Sequence, residues 1–375
     1  MRILHICSGY PDTELYQNLV RELDYKNVEQ LMYVPYNTSN IKNRRIIDKA
    51  KHIDYIFSAP YNKLDRLIYY SKINKIFRDI REKTKLNEID IIHAHFLFSN
   101  GGAAYKINKK FGIDYVVAVR NTDVNYFLKY GLHVRNYGIK ILKNAKKIVF
   151  ISPAYKDYVI EKYIPEHLRD MISNKSFVIP NGIDNFWLEN IFSEKKFQND
   201  SSNIKLVSVG ELNKNKNVEN SIKTVSLLKK KGYKVSLDIV GKGPLEEELK
   251  DLIKNTKNQD NIKIHGYIED RRKLLQIYRE SSIFLMPSLL ETFGLVYIEA
   301  MTQGLPVIYS KGQGIDGYFS EGQVGKSVSP QDIEDIANSI EIIMSSQHEM
   351  YKRTIQEVNN FSWSKIADEY LALYK

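Results

Sequence analysis

IFLMPSLLETFGLVYIEAMTQGLPVIY, residues 283–309, holds a strand, a loop, a helix and a second strand in one stretch. Ile283–Pro287 is a short apolar run of β type, and Pro306–Tyr309 is another. Between them a loop carries Glu291, and a helical pattern starts near Phe293 and ends at Gly304. Strands joined through a helix are the signature of a parallel α/β sheet. Outward from this unit the rhythm continues. Lys205–Val209, Lys234–Val240 and Asn261–His265 read as strands, and Val218–Lys231, Leu245–Lys254, Arg271–Glu280 and Leu295–Thr302 read as helical stretches. The first half has strand candidates at Arg2–Cys7, Asp90–His95, Tyr115–Arg120, Lys147–Ser152 and Phe177–Pro180. Helical stretches such as Glu14–Leu23, Leu64–Arg81 and Ala103–Phe111 lie between them. The polar, aperiodic stretch Asn190–Asn203 reads as a linker.

The expected architecture is therefore two doubly wound, Rossmann-like α/β domains facing across a cleft. Boundaries are drawn at 1–185 for the first domain, 186–203 for a linker, 204–356 for the second domain, and 357–375 for a final helix. At 375 residues, with 43% apolar and 27% charged positions, the chain fits a two-domain globular protein and excludes collagen, coiled coil and wholesale disorder. No apolar run approaches the ~20 residues that span a bilayer. A single cysteine, Cys7, forbids an internal disulfide and points to the reducing cytoplasm. Residues 1–200 hold 32 Lys+Arg against 22 Asp+Glu, whereas residues 201–375 hold 23 of each, so the net +10 belongs to the first half. Lys140–Lys147 and Ile41–Lys51 carry much of it. They read first as solvated faces, and in a sharper version as peripheral contacts to anionic lipid on the inner face of the membrane. Nucleic acid is not expected, since no recognition motif accompanies the charge.

Several residues point to a site. A helix beginning near Phe293 offers the backbone N–H groups of Phe293, Gly294 and Leu295 to an anion, with Gly294 allowing close approach. Glu291 and Glu299 stand eight residues apart, about 10 Å along a helix axis. That separation exceeds the ~5–9.5 Å of a glycosidase couple and suits two carboxylates gripping the ends of one elongated ligand. His93 and His95 share a strand face at i, i+2 and read as lining the cleft, with no third metal ligand in view. No Asp-x-Asp occurs, so a paired-carboxylate metal site is not expected.

Read together, these segments resemble glycosyltransferase family 4, the retaining nucleotide-sugar transferases of the GT-B fold. Ser288–Pro306 resembles its Glu-x7-Glu signature, and Phe177–Asp184 (FVIPNGID) its junction segment. Leu206–Lys216 (LVSVGELNKNK), Leu237–Pro244 (LDIVGKGP), Ile264–Ile268 and the terminal Phe361–Tyr374 resemble further family segments in the right order. The resemblance implies that a final helix crosses back onto the first domain. It implies that Glu291 holds hydroxyls of the donor sugar, Glu299 the ribose, and Lys216 the diphosphate. The backbone at Gly210 and Glu211 and around Tyr267 and Ile268 would edge the donor pocket. Three departures accompany it. Glu211 stands where the family has Arg; Gly9 is single where the family has a glycine pair; and Arg120-Asn121-Thr122-Asp123 replaces a His-containing segment. Arg120 and Asp123 become candidates for catalysis and Asn121 for the acceptor side, with Gly9 near a phosphate.

The expected function is metal-independent, retaining transfer of a hexose-type sugar from a UDP- or GDP-linked donor to a hydroxyl acceptor. The acceptor would be a saccharide or lipid-linked saccharide in polysaccharide or glycolipid assembly, and no cofactor beyond the donor is expected. The alternatives are a nucleotide-sugar epimerase and a non-catalytic nucleotide-sugar-binding subunit. A dinucleotide oxidoreductase lacks support, because the loop after the first strand has no Gly-x-Gly-x-x-Gly.

Overall fold

The computed structural model describes residues 1–37, 45–62, 65, 68–192 and 203–375. It divides into two compact units. The first comprises Met1–Ile151, Lys156–Gly182 and Trp363–Lys375; the second comprises Ser152–Tyr155 and Ile183–Ser362.

The first unit is built along the chain from β1 (Arg2–Ile6), α1 (Glu14–Tyr25), β2 (Glu29–Pro35), β3 (Ile53–Ser58), α2 (Tyr69–Lys83), β4 (Ile91–Ala94) and α3 (Gly101–Phe111). There follow β5 (Asp114–Val119), α4 (Leu132–Asn144), β6 (Lys147–Phe150), α5 (Pro153–Tyr163), α6 (Glu166–Ser173) and β7 (Ser176–Val178). Its seven strands are parallel, in the order β3-β2-β1-β4-β5-β6-β7. The order reverses between β1 and β4, which pair with His5 opposite His93. That reversal is a topological switch point, where strand-end loops part and ligands bind in open parallel sheets.

In the second unit run α7 (Asn185–Glu189), β8 (Asn203–Val209), α8 (Val218–Lys230), β9 (Lys234–Val240), α9 (Glu246–Asn255), β10 (Ile262–Gly266) and α10 (Arg271–Glu280). It continues through β11 (Ile283–Leu285), α11 (Leu295–Thr302), β12 (Val307–Ser310), β13 (Gly325–Val328) and α12 (Ile333–Val358). The six strands are again parallel, ordered β10-β9-β8-β11-β12-β13, with the switch between β8 and β11. Ile204, Leu206, Leu237, Ile239, Ile283 and Leu285 form the core under α8 and α12. Asp270 and Asp332 cap α10 and α12 by accepting backbone N–H bonds.

The last helix, α13 (Trp363–Tyr374), belongs to the first unit. Its Trp363, Ile366, Tyr370 and Leu373 pack with Ile3, Leu19, Leu23, Val116 and Ile179. Burying such side chains contributes about 1.5–3 kcal/mol each. The side chain Gly182 lacks would begin 2.6 Å from the Trp363 ring, so the glycine lets the indole seat.

The two doubly wound sheets agree with the expected fold class. Strands β2, β3 and β13 and the 26-residue α12 were not among the predicted elements. β2 is buried over six of its seven residues, so it reads as an apolar run without alternation; β3 is only half-buried. The units also differ from the boundaries drawn on sequence. α7 lies in the second unit rather than in a linker, and that unit continues through the turn at Asn359–Phe361 to Ser362. Most of the expected linker, residues 193–202, lies outside the described residues. So do the start of the helix expected from Leu64 and residues 41–44 of the basic stretch. Among the described residues no helix is long and apolar enough to cross a membrane.

Candidate functional site

Both switch points gather the residues singled out by sequence, and they do so differently. In the second unit the loop after β8 forms a short turn at Lys214–Lys216. Asn213 caps it by accepting from the Lys216 N–H at 3.2 Å. Asn217, with φ 54°, donates to the Pro287 and Pro330 carbonyls, and Leu289 N–H donates to the Asn215 carbonyl at 2.7 Å. These bonds tie the loops after β8 and β11 together. Lys216 Nζ and Glu291 Oε2 stand 2.5 Å apart, with side-chain exposures of 21% and 13%.

Glu291 is held from three sides. Its N–H donates to Gln313 Oε1, its other carboxylate oxygen accepts from Thr292 N–H, and its carbonyl accepts from Gly314 N–H. α11 begins at Leu295 rather than near Phe293, because Gly294 adopts φ +83° and ψ 73° before it. A Cβ there would lie 2.5 Å from the Tyr297 ring, so only glycine fits. No side chain caps this helix start, which leaves its first N–H groups facing outward from the helix end. Phe293 is an aromatic anchor against Tyr318 and Phe361, and its contribution to a ligand is limited to backbone.

Glu299 sits half-buried on the second turn of α11. Burial raises its carboxyl from 4.5 to about 7, with Asp184 adding to the rise. Arg271 and the Trp187 indole N–H, which bonds it, pull the other way. Arg271 is itself paired with Asp184 at 2.8 Å. Glu211 is exposed and accepts from the Asn213 amide at 2.8 Å, so its carboxylate is turned to the loop rather than to Lys216. Tyr267 is 69% exposed, and Ile268 is half-buried after the end of β10.

Sequence reading singled out Gly210 but missed Gly241 and Gly266 in the floor of this site. Gly210, Gly241 and Gly266 end the adjacent strands β8, β9 and β10, linked by Gly210 N–H to Val240 carbonyl and Gly241 N–H to Gly266 carbonyl. A Cβ on Gly241 would fall 1.8 Å from the Gly210 oxygen. The result is a strand edge of bare backbone beside Lys216. The signal was present in the sequence as a glycine at each strand end.

The first unit's switch point is packed tightly around its histidines. Gly9 is buried, and its missing Cβ makes room for the Phe96 ring 2.9 Å away. His93 and His95, expected to line a cleft, are fully buried. Their rings stack at 3.9 Å, and Tyr370 and Tyr374 of α13 pack against His93. The strand-end position was read correctly, but the returning helix covers it. His5 on β1, not foreseen as a partner, shares a 3.0 Å hydrogen bond between its Nδ1 and His95 Nε2, while Tyr374 Oη meets His93 Nδ1 at 2.7 Å. Burial pushes all three imidazoles downward, His5 to about 3, so they are neutral. Among the described residues these three form the one His/Cys/Asp/Glu group whose donor atoms lie within 4.8 Å of each other. The Arg120 charge felt by His93 and His95 disfavours a cation there.

Asp123 was a candidate for catalysis, and its oxygens are already committed. They accept from the N–H groups of Leu97, Phe98 and Arg120 at 2.9–3.0 Å, and the residue is 1% exposed. It clasps the loop after β4 to the loop after β5 and starts a π-helical turn over Asp123–Leu128. Burial raises its carboxyl from 3.8 to about 6 against those three donors. Asn121 is exposed, its amide oxygen accepting from Asn125. Arg120 is 8% exposed at the end of β5.

Two parallel switch-point sheets, one ending in a half-buried Lys–Glu pair beside an uncapped helix, are the class of architecture called GT-B. Comparison with known proteins agrees. Residues 15–185 match the family Glycosyltransferase Family 4, and residues 190–361 match Glycosyl transferases group 1. Together these domains span most of the chain, which has the GT-B fold and is a transferase. The chain is 25% identical over 360 residues to an uncharacterized glycosyltransferase of Methanocaldococcus jannaschii, covering 93% of this chain and 90% of that protein. Its fold matches sucrose-phosphate synthase from Thermosynechococcus elongatus with a TM-score of 0.70 at 20% identity, covering 100% and 98% of the two chains. It also matches Anabaena HepE, solved in complex with UDP and glucose, with a TM-score of 0.66 at 15% identity, covering 99% and 98%.

Proposed function

We propose that the protein moves a hexose-type sugar from a UDP- or GDP-linked donor to a hydroxyl of a saccharide or lipid-linked saccharide, with retention at the anomeric carbon. The observation that carries this is the Lys216–Glu291 pair at 2.5 Å beside the uncapped start of α11. Glu291 would accept hydrogen bonds from donor-sugar hydroxyls. Lys216 and the α11 N–H groups would take the charge that gathers on the departing diphosphate. Glu299, one helical turn on, would receive the ribose hydroxyls, and the bare backbone at Gly210, Gly241 and Gly266 would admit the nucleotide closely. HepE, which shares the fold, was solved in complex with UDP-glucose, a nucleotide-sugar donor.

The test is a thermal-shift panel of UDP- and GDP-sugars on the whole chain. A ligand that binds only the native state raises Tm, so at least one donor is expected to do so. Product from that donor, read by NMR, is expected to keep the donor's anomeric configuration. If no nucleotide sugar shifts Tm, the donor assignment falls; an inverted product removes retention alone. Turnover of the donor without any acceptor would favour the epimerase reading.

A further inference from the structure

Arg120 is a buried cation of the first unit that the packing leaves incompletely bonded. It ends β5, next to the switch-point strands, and is more than nine-tenths buried. Its guanidinium makes two long contacts, to Asn181 Oδ1 and Tyr370 Oη, both at 3.4 Å. Its Nε–H has no partner among the described residues. Asp123 feels the guanidinium charge, yet its oxygens are filled by three backbone N–H groups and none reaches the side chain. The other titratable groups around it are neutral. Burial pushes the Cys7 thiol and the Tyr16 and Tyr370 phenols up, and the His93 and His95 imidazoles down.

A buried cation without a counter-ion is costly, and structures keep one only where something compensates it. A fork of five donors meeting neutral acceptors at the limit of hydrogen-bond length is matched in geometry by a phosphoryl or carboxylate group. The carboxyl edge of a parallel sheet is also where such groups dock.

We infer that Arg120 is the anion-recognition residue of the first unit, binding a phosphoryl group through its guanidinium with Asn181 and Tyr370 as the flanking walls. The phosphoryl group has two sources, a phosphate carried by the acceptor or a free phosphate. Naming the acceptor rests on the nucleotide-sugar reading above, whereas the anion site itself does not.

The experiment measures thermal shift and calorimetric affinity of the whole protein for inorganic phosphate, UDP and glucose 6-phosphate, with glucose as the neutral control. Wild type is expected to respond to at least one phosphoryl probe and not to glucose. Arg120→Met is expected to lose that response by at least about tenfold in affinity, the scale of a lost charge-assisted hydrogen bond. Loss for glucose 6-phosphate identifies a phosphate carried by the acceptor, loss for inorganic phosphate alone a free anion, and loss for UDP as well a site that takes any phosphoryl group. A wild type blind to all three probes overturns the inference, as does Arg120→Met with undiminished phosphoryl affinity. Should Arg120→Met fail to fold, Arg120→Lys decides: weakening by about tenfold supports the fork, and unchanged affinity overturns it. Lys216→Met and Glu291→Ala measured beside them separate the two readings. If these keep full UDP affinity while Arg120→Met loses phosphoryl binding, the second-unit donor site fails and the Arg120 site stands.

Discussion

The first sheet closes its switch point with polar groups turned on one another, and the second leaves its polar groups turned outward. Around β1 and β4, three imidazoles, a carboxylate and a phenol are buried and bonded among themselves or to backbone. Around β8 and β11, a lysine and a glutamate pair at partial exposure over a floor of glycine. The winding is the same, so topology marks where a ligand edge lies and the side chains decide whether it is filled. A polar residue at a strand end is therefore no guide to function until its bonds are counted.

The contrast can be broken most forcefully at Asp123. Asp123→Ala removes the acceptor for three buried N–H groups and is expected to cost about 3 kcal/mol or more in urea unfolding. If Asp123 instead served chemistry, the variant would stay stable and lose turnover. Next comes Glu291→Ala. Transfer is expected to fall roughly 100-fold, on the scale of one lost transition-state contact, with Tm close to wild type. A large Tm loss with intact turnover per folded molecule would make Glu291 a brace like Asp123. Lys216→Met is expected to weaken donor binding by about tenfold or more in calorimetry, since a charge-assisted contact to the diphosphate goes. The smallest effect is a slope. Glu299 is raised by burial from 4.5 to about 7, so the folded chain holds its proton more tightly than the unfolded one. Stability from this group is full below 4.5 and is lost as pH rises through 7. Glu299→Gln is expected to flatten the decline in unfolding free energy across that window, and an unchanged profile would show that Glu299 titrates as a surface group.

Much of the second site was legible because its parts are close in sequence. Glu291, Gly294 and Glu299 lie in one strand-loop-helix unit, where spacing and glycine carry the geometry. The helical stretch Leu295–Thr302 matches α11, whereas a start near Phe293 fails because Gly294 turns left-handed before the first helical turn, a property of φ that composition shows only as a glycine. The first site was less legible because its parts meet only through register. His5 faces His93 across strands separated by most of a hundred residues of chain, and Tyr374 arrives from the far end. Its one local hint was a histidine inside each of two otherwise apolar strands. Asp123 looked reactive on sequence because a carboxylate's three backbone partners leave no trace in side-chain pattern.

Because Trp363–Tyr374 completes a unit whose other residues end at Gly182, synthesis on the ribosome separates the two parts by the whole of Ile183–Ser362. Domains generally fold in the order they emerge. Here the amino-terminal half must wait, with Ile179 and the Gly182 seat uncovered, until the nascent chain delivers its final tryptophan. The helix thus acts as a clasp fastened last, and a transcript cut short before Trp363 yields a first domain with an open seam for proteases and chaperones to read.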